Sequence, residues 1–163
     1  MGEHRWKNGG TYSGQWRNAM RHGKGTEVFA NGDTYTGEYR NGQAEGIGRY
    51  VWQNGNIYEG QFLKGVKNGK GFWRKQAGAK NCNRYEGEYA NDVKHGFGEF
   101  RWASGGHYKG FYFKDLKSDY GEMVWPDGSS YQGMWKEGAQ EGLGIFSLPD
   151  GTLLSGLFKN NEL

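Results

Sequence analysis

A five-residue motif, Tyr-x-Gly-x-aromatic, recurs along the chain at an almost constant interval. The interval is 23 residues, except that 27 residues separate Tyr58 from Tyr85. A fixed period of this length predicts an array of one repeated supersecondary unit. The four extra residues are predicted to be a loop insertion near residues 76–83. The copies begin at Tyr12, Tyr35, Tyr58, Tyr85, Tyr108 and Tyr131, and a degenerate copy begins at Leu154.

Each repeat is predicted to contain two strands. Eleven residues after each tyrosine comes a Gly-x-Gly signal, such as Gly23-Lys24-Gly25, which becomes Asp119-Tyr120-Gly121 in the fifth copy. Bulky residues then alternate, which is typical of a strand with one buried face. Most repeats close on a dipeptide that tolerates the positive φ of tight turns. These dipeptides are Asn31-Gly32, Asn54-Gly55, Ser104-Gly105, Asp127-Gly128 and Asp150-Gly151.

Aromatic rings are predicted to supply the core, because aromatic residues make up 17% of a chain that is only 34% hydrophobic. Along the first strand, the two rings and the glycine between them point to one side. The bare glycine lets a ring lie over the backbone. The alternate positions, such as Glu38 and Gln61, are expected to face water. One such hairpin cannot bury its rings alone, so stability must come from stacked neighbours.

These features predict an all-β fold: an elongated single-layer array of antiparallel β-hairpin repeats, twisted and curved, with an aromatic-lined groove. A single domain is predicted over residues 1–163, with a half-repeat at 1–11 and a partial repeat at 154–163. Open strand edges at both ends would favour a homo-oligomer formed by end-to-end pairing.

The segment from Tyr12 to Gly25, together with its copies, closely resembles the membrane occupation and recognition nexus (MORN) repeat. The resemblance covers nearly the whole chain. It implies an array of hairpins with an aromatic groove. It also implies roles in scaffolding and in cytoskeletal or ciliary assemblies, and in some members phosphoinositide binding.

The residues give no support for an enzyme or for a cofactor. Gly23-Lys24-Gly25-Thr26 looks like part of a phosphate loop, but no helix-forming stretch follows it. His22 and His95 occupy the same repeat position, which favours turn residues over metal ligands. Cys82 is the single cysteine, so a reducing compartment is expected. No apolar run approaches 18 residues, and a cytoplasmic protein is predicted, with a cytoskeletal or ciliary association as a further hypothesis.

Two faces are candidates for binding a protein partner. The first is the aromatic face, which would grip a peptide or helix of the partner. The alternative is that its rings only bury each other. On the second face, Phe111, Met134 and Leu157 stand where earlier repeats have Gln or Glu, and Phe113 and Leu116 lie nearby. That patch would bind a partner or a second copy, or else pack against segments outside this chain. The aromatic face comprises Tyr12, Trp16, Tyr35, Tyr39, Trp52, Tyr58, Phe62, Trp73, Tyr85, Tyr89, Trp102, Tyr108, Tyr112, Trp125, Tyr131 and Trp135.

A third candidate is a basic edge along the hairpin connections, which would attract anionic lipid. A solvated edge is the alternative, since glutamates interleave and the formal net charge is only +3. The sequence lacks the dense basic stripe that is typical of nucleic-acid-binding proteins, so nucleic acid is not predicted as a partner. The edge would comprise Arg17, Arg21, Lys24, Arg40, Lys64, Lys67, Lys70, Lys94, Lys114 and Lys117.

The sequence therefore predicts a non-enzymatic interaction scaffold that binds a peptide or helical segment of a partner. The alternative is a membrane-proximal module that binds phosphoinositides, which could belong to a larger enzyme.

Overall fold

The computed structural model describes residues 1–76 and 80–163, and the regular elements in these ranges are all β-strands. Contacts group the chain into two compact units, Met1–Cys82 and Asn83–Leu163. The first unit contains β1 (Gly2–Arg5), β2 (Thr11–Arg17), β3 (Met20–Val28), β4 (Thr34–Arg40), β5 (Gln43–Val51), β6 (Ile57–Leu63) and β7 (Val66–Arg74). The second contains β8 (Arg84–Ala90), β9 (Val93–Arg101), β10 (His107–Phe113), β11 (Leu116–Val124), β12 (Ser130–Lys136), β13 (Ala139–Ser147) and β14 (Leu153–Phe158).

Within each unit, every strand pairs antiparallel with the next strand in the sequence. In the first unit this holds from β1 to β7. In the second unit it holds from β8 to β14. The predicted all-β array of antiparallel hairpin repeats is confirmed. The assignment of residues 1–163 to one domain stays a prediction.

The tightest turns lie inside the hairpins. Asn18 and Ala19 join β2 to β3 with φ of 50° and 61°, and Asn41 and Gly42 join β4 to β5 with φ of 49° and 83°. Positive φ at both central residues is the geometry of a type I′ hairpin turn. The predicted closing dipeptides, such as Asn31-Gly32, instead lie in the loops between hairpins, where the glycine alone has positive φ, as at Gly32 with 93°.

The predicted insertion lies between β7 and β8. Nine residues separate Arg74 from Arg84, whereas five separate Val28 from Thr34 between β3 and β4. Residues 77–79 of this insertion lie outside the described residues.

The core of each unit is a row of tyrosines stacked on glycines. Tyr35 is 2% exposed and donates a hydrogen bond from its hydroxyl to the Glu38 carbonyl oxygen at 2.7 Å. Its ring lies over Gly48, which pairs across the sheet with Gly37. A Cβ at Gly48 would stand 2.4 to 2.6 Å from three atoms of the Tyr35 side chain. The predicted packing of ring over glycine is therefore confirmed.

Each core tyrosine also contacts the rings at the fifth motif position. Tyr35 meets Tyr39 and Phe62 in T-shaped contacts, both with ring centroids 5.1 Å apart. In the second unit, Tyr108 meets Tyr112 at 5.2 Å and Trp135 at 5.6 Å. Edge-to-face pairs of this kind stabilise a sheet beyond the area that they bury.

The fourth motif position holds a bulge together on the opposite face. The β4–β5 register shifts between Gly37 and Tyr39, and Gly46 has a φ of 90°. Glu38 Oε2 accepts the backbone N–H of Ile47 at 2.6 Å. These side chains face away from the core as expected, and they also bind a backbone donor that the extra residue in the bulge leaves unpaired in the strand ladder. The other such bonds join Gln15 to Lys24, Gln61 to Lys70 and Glu88 to Phe97.

Candidate protein-binding surfaces

Most rings predicted for the aromatic face form the core. They offer almost no surface to a partner, so the accessible part of this face consists of other rings and of the clefts between them. Trp16 is 36% exposed, and Trp52, Trp102 and Trp125 are half-buried. The role of the whole set in binding stays a prediction. The members no more than 7% exposed are Tyr12, Tyr35, Tyr39, Tyr58, Phe62, Tyr85, Tyr89, Tyr108, Tyr112, Tyr131 and Trp135.

Five of the predicted edge cations lie over rings, namely Arg21, Lys67, Lys94, Lys114 and Lys117. Arg21 stacks on Tyr39 with 5.3 Å between the guanidinium carbon and the ring centroid. Lys117 Nζ lies 5.3 Å from the Trp135 ring centroid. Burial, and then the neighbouring charge of Lys94, lower the pKa of Lys117. The prediction of a basic edge was therefore wrong for Arg21, Lys67, Lys94 and Lys117, because their charged groups stack on rings of the aromatic face.

A cleft opens on the aromatic face of the first unit where one of these long side chains is missing. Ala44 occupies the repeat position that Arg21, Lys67, Lys94 and Lys117 hold elsewhere, nine residues after the motif tyrosine. The cleft has a volume of about 220 Å³. Its lining includes Phe29, Tyr35, Tyr39, Ala44, Tyr50 and Phe62.

A charged pair lies at one side of this cleft. Arg21 and Glu27 form an ion pair, and the Tyr39 hydroxyl donates to Glu27 Oε1 at 3.0 Å. Arg21 also donates to the Gly42 carbonyl oxygen at 2.7 Å. Burial, followed by the Glu27 charge, raises the pKa of Tyr39 above its usual range. The ion pair and the hydrogen bonds therefore fix the side chains on this side of the cleft, whereas the aromatic lining beside them is apolar.

The opposite face of the second unit carries the predicted apolar patch. Phe111, Phe113 and Met134 are 42%, 53% and 39% exposed. The structure adds residues that sequence reasoning missed, since Phe97 pairs with Phe111 and Tyr120 pairs with Met134. Aligning neighbouring strands of the repeats in their cross-strand register would have identified Phe97 and Tyr120.

The two equivalent histidines serve the hairpin turns, as predicted. His22 Nδ1 accepts the Asn41 N–H at 3.4 Å, and His95 Nδ1 accepts the Lys114 N–H at 3.3 Å. Within residues 1–76 and 80–163, no three His, Cys, Asp or Glu side chains are grouped to hold a metal ion. In the same ranges no helix has the length and apolar character needed to cross a membrane.

Consecutive antiparallel hairpins with stacked tyrosine and glycine define a β-hairpin repeat protein. The MORN repeat family profile matches residues 12–34, 35–57, 58–79, 85–107, 108–130 and 131–153. The chain therefore belongs to the MORN repeat family, which confirms the resemblance seen in its sequence.

Comparison with curated proteins found no significant match. Among solved structures, the chain is similar to the SAS-4 (dCPAP) TCP domain of Drosophila melanogaster in complex with a proline-rich motif of Ana2 (dSTIL). The TM-score is 0.52 at 14% sequence identity, over 95% of this chain and 82% of that one. At this identity the similarity concerns the fold.

Proposed function

We propose that this chain is a non-enzymatic protein-interaction module that binds an extended segment of a partner protein on its aromatic face. The observation that carries the proposal is the cleft above Ala44, where the aromatic walls remain open. Membership of the MORN repeat family supports a binding role. The similar TCP domain, which is described in complex with a proline-rich motif, supports a peptide as the ligand.

The size of the cleft favours a peptide side chain over a free small molecule. Its volume of about 220 Å³ is below the ~300 to 1,000 Å³ of typical small-molecule sites. Phe29 and Tyr50 stand with their ring centroids 5.7 Å apart and remain half-buried. A proline or aliphatic side chain of an extended segment would pack between such rings, as in other aromatic grooves that bind proline-rich segments.

Filling the cleft tests this function. Ala44→Lys introduces the residue found at this position in three other repeats, so the fold should accept it. Peptides selected by display against the wild-type chain should bind this variant at least ~10-fold more weakly, a loss of about 1.4 kcal/mol. Thr36→Lys is the matched control, because it adds the same charge at an exposed position where the fifth repeat already has Lys109.

Fluorescence anisotropy with labelled selected peptides gives both affinities. Equal binding to the wild-type chain and to Ala44→Lys would rule out the cleft as the peptide site.

Phosphoinositide binding stays a prediction. The stacking of the five cations on rings leaves exposed turn residues such as Arg17 and Lys64 as the remaining basic groups of the predicted edge. Flotation with liposomes that contain or lack phosphoinositides tests the prediction. A cytoplasmic, cytoskeletal or ciliary location and membership of a larger enzyme also stay predictions.

A further inference from the structure

An uninterrupted apolar row crosses the second unit on the face opposite its aromatic core. Three cross-strand pairs form it: Phe97 with Phe111, Tyr120 with Met134, and Leu143 with Leu157. The Phe97 and Phe111 rings are in edge-to-face contact, with centroids 5.4 Å apart. Six consecutive strands, β9 to β14, each contribute one residue to this apolar row.

Four further side chains widen the apolar row into a band. Phe113 and Leu116 pair with each other on β10 and β11 at one end. Ile145 lies two residues beyond Leu143 on β13, and Leu153 lies diagonally across from it on the neighbouring strand β14, opposite Ser147. All ten residues of the apolar band are between 39% and 71% exposed.

The exposed area is large for a surface in permanent contact with water. Large side chains of ~150 to 250 Å² each, about half exposed, give an apolar band on the order of 1,000 Å². The largest apolar patch of a typical monomer is about 300 to 600 Å². A standard protein interface buries about 800 Å² on each partner. The apolar band therefore has the size of an interface.

Residues of the apolar row stand at the fourth motif position, where earlier repeats have a side chain that accepts a hydrogen bond from the bulge. In earlier repeats Gln15, Gln61 and Glu88 accept a backbone N–H of the bulge at 2.7 Å. Phe111 and Met134 occupy the same position and carry no oxygen acceptor. These repeats therefore lack a stabilising contact that the earlier repeats make and present apolar surface at the same place, which favours a role of that surface in binding.

Charges beside the middle of the apolar row suit a second copy of the same chain. Glu122 lies two residues beyond Tyr120, and Lys136 lies two residues beyond Met134 on the antiparallel strand. The acid and the base therefore flank the Tyr120–Met134 pair on opposite sides. Within its own chain Glu122 accepts a hydrogen bond from the Tyr120 hydroxyl at 2.9 Å and stands opposite Lys109 on β10, and its carboxylate can accept further bonds. A two-fold rotation about an axis along the band would place Glu122 of each copy close to Lys136 of the other.

We propose that the chain forms a homodimer in which the apolar bands of two copies pack face to face. The interface is self-complementary: apolar band meets apolar band, and Glu122 pairs with Lys136 across the axis. The aromatic cleft is lined by residues of the first unit and the apolar band by residues of the second, so dimer formation and peptide binding involve different residues and are separate properties.

Light scattering during size-exclusion chromatography tests the dimer. The wild-type chain should give twice its 18.4 kDa mass at roughly 1 to 100 μM, which covers weak standard-size interfaces. Phe111→Gln with Met134→Gln should halve that mass while the chain stays folded by circular dichroism, since it restores the acceptors of the earlier repeats. Gln15→Glu with Gln61→Glu is the matched control at the same repeat positions, and should stay dimeric.

A charge exchange tests the orientation of the two copies. Glu122→Lys alone and Lys136→Glu alone should each weaken the dimer at least ~10-fold by placing like charges across the axis. Mixing the two variants should restore a heterodimer with close to wild-type affinity, an effect that a purely structural role of either residue would not produce.

Three outcomes would overturn the proposal. The first is a monomeric wild-type chain at about 100 μM. The second is a dimer that persists in Phe111→Gln with Met134→Gln, which would assign association to the strand edges or to the aromatic face. The third is the failure of the mixed charge variants to pair. Ala44→Lys should leave the mass unchanged, so failure of the peptide proposal would be seen separately.

Discussion

At the scale of single residues, the stability of the sheet depends on the glycines beneath the tyrosines. Gly37 and Gly48 are paired so closely that a Cβ at Gly37 would stand 2.5 Å from the Gly48 Cα. The Tyr35 ring then covers both and excludes water from their backbone bonds. Glycine is needed here for close approach, because any side chain would occupy the volume of the ring.

We predict that Gly48→Ala destabilises the first unit by about 1 to 3 kcal/mol, the usual cost of an extra methyl group in a packed core. The new Cβ would overlap Tyr35, whose hydroxyl is fixed by its bond to the Glu38 carbonyl oxygen. Chemical denaturation measures the change. Thr36→Ser, at an exposed position of the opposite face, keeps the hydroxyl that bonds Thr26 and should stay within about 0.5 kcal/mol. Equal effects of the two substitutions would contradict the packing argument.

At the scale of the hairpin, the strands and the glycine platform could be predicted from the sequence because they depend on local periodicity. The bulge acceptors could not, since Glu38 and Ile47 come together only through a register shift of the backbone. The Ala44 cleft was missed for another reason: it results from an absent side chain. Comparing the residues that stand nine positions after each motif tyrosine would have indicated the cleft, because Ala44 is the short residue among long or charged ones.

The cations were misplaced because spacing alone does not give the direction of a long side chain. Lys94 lies near a hairpin connection, yet its ammonium stacks on Tyr85, Phe100 and Tyr112. Phe97 was missed because the middle residue of Gly-x-Gly varies, and only the register pairs it with Phe111.

The first hairpin turn contains a replaceable residue. Ala19 has a φ of 61°, whereas the equivalent position in the next hairpin is Gly42. We predict that Ala19→Gly stabilises the first unit by up to ~1 kcal/mol, because it relieves a left-handed conformation of a residue with a Cβ. Gly42→Ala should cost a similar amount in the same denaturation experiment. Destabilisation by Ala19→Gly would contradict the turn geometry.

At the scale of the whole molecule, buried phenols link stability to alkaline pH. Burial is the first cause that raises the pKa of Tyr35, Tyr39, Tyr85, Tyr108 and Tyr112 above the ordinary value of 10.0. The folded state therefore favours the neutral phenol more strongly than the unfolded state does. The resulting stabilisation is fully present below pH 10 and is lost as the pH rises further.

We predict that the melting temperature is insensitive to tyrosine ionisation below about pH 10 and falls steeply above it. Circular dichroism gives the melting temperature, and near-ultraviolet absorbance detects the tyrosinate. Both signals should change together, because these phenols ionise when the sheet opens. Gradual ionisation in a sheet that remains folded would show that water reaches the rings.

The consecutive pairing of strands determines how each unit responds to mechanical force. Every strand is bonded only to the strands before and after it in the chain, within each unit. Tension applied to the ends of a unit therefore loads the hydrogen bonds of its terminal hairpin first, a few at a time. Such a unit extends by peeling, one hairpin after another, while the hairpins that remain keep their shape.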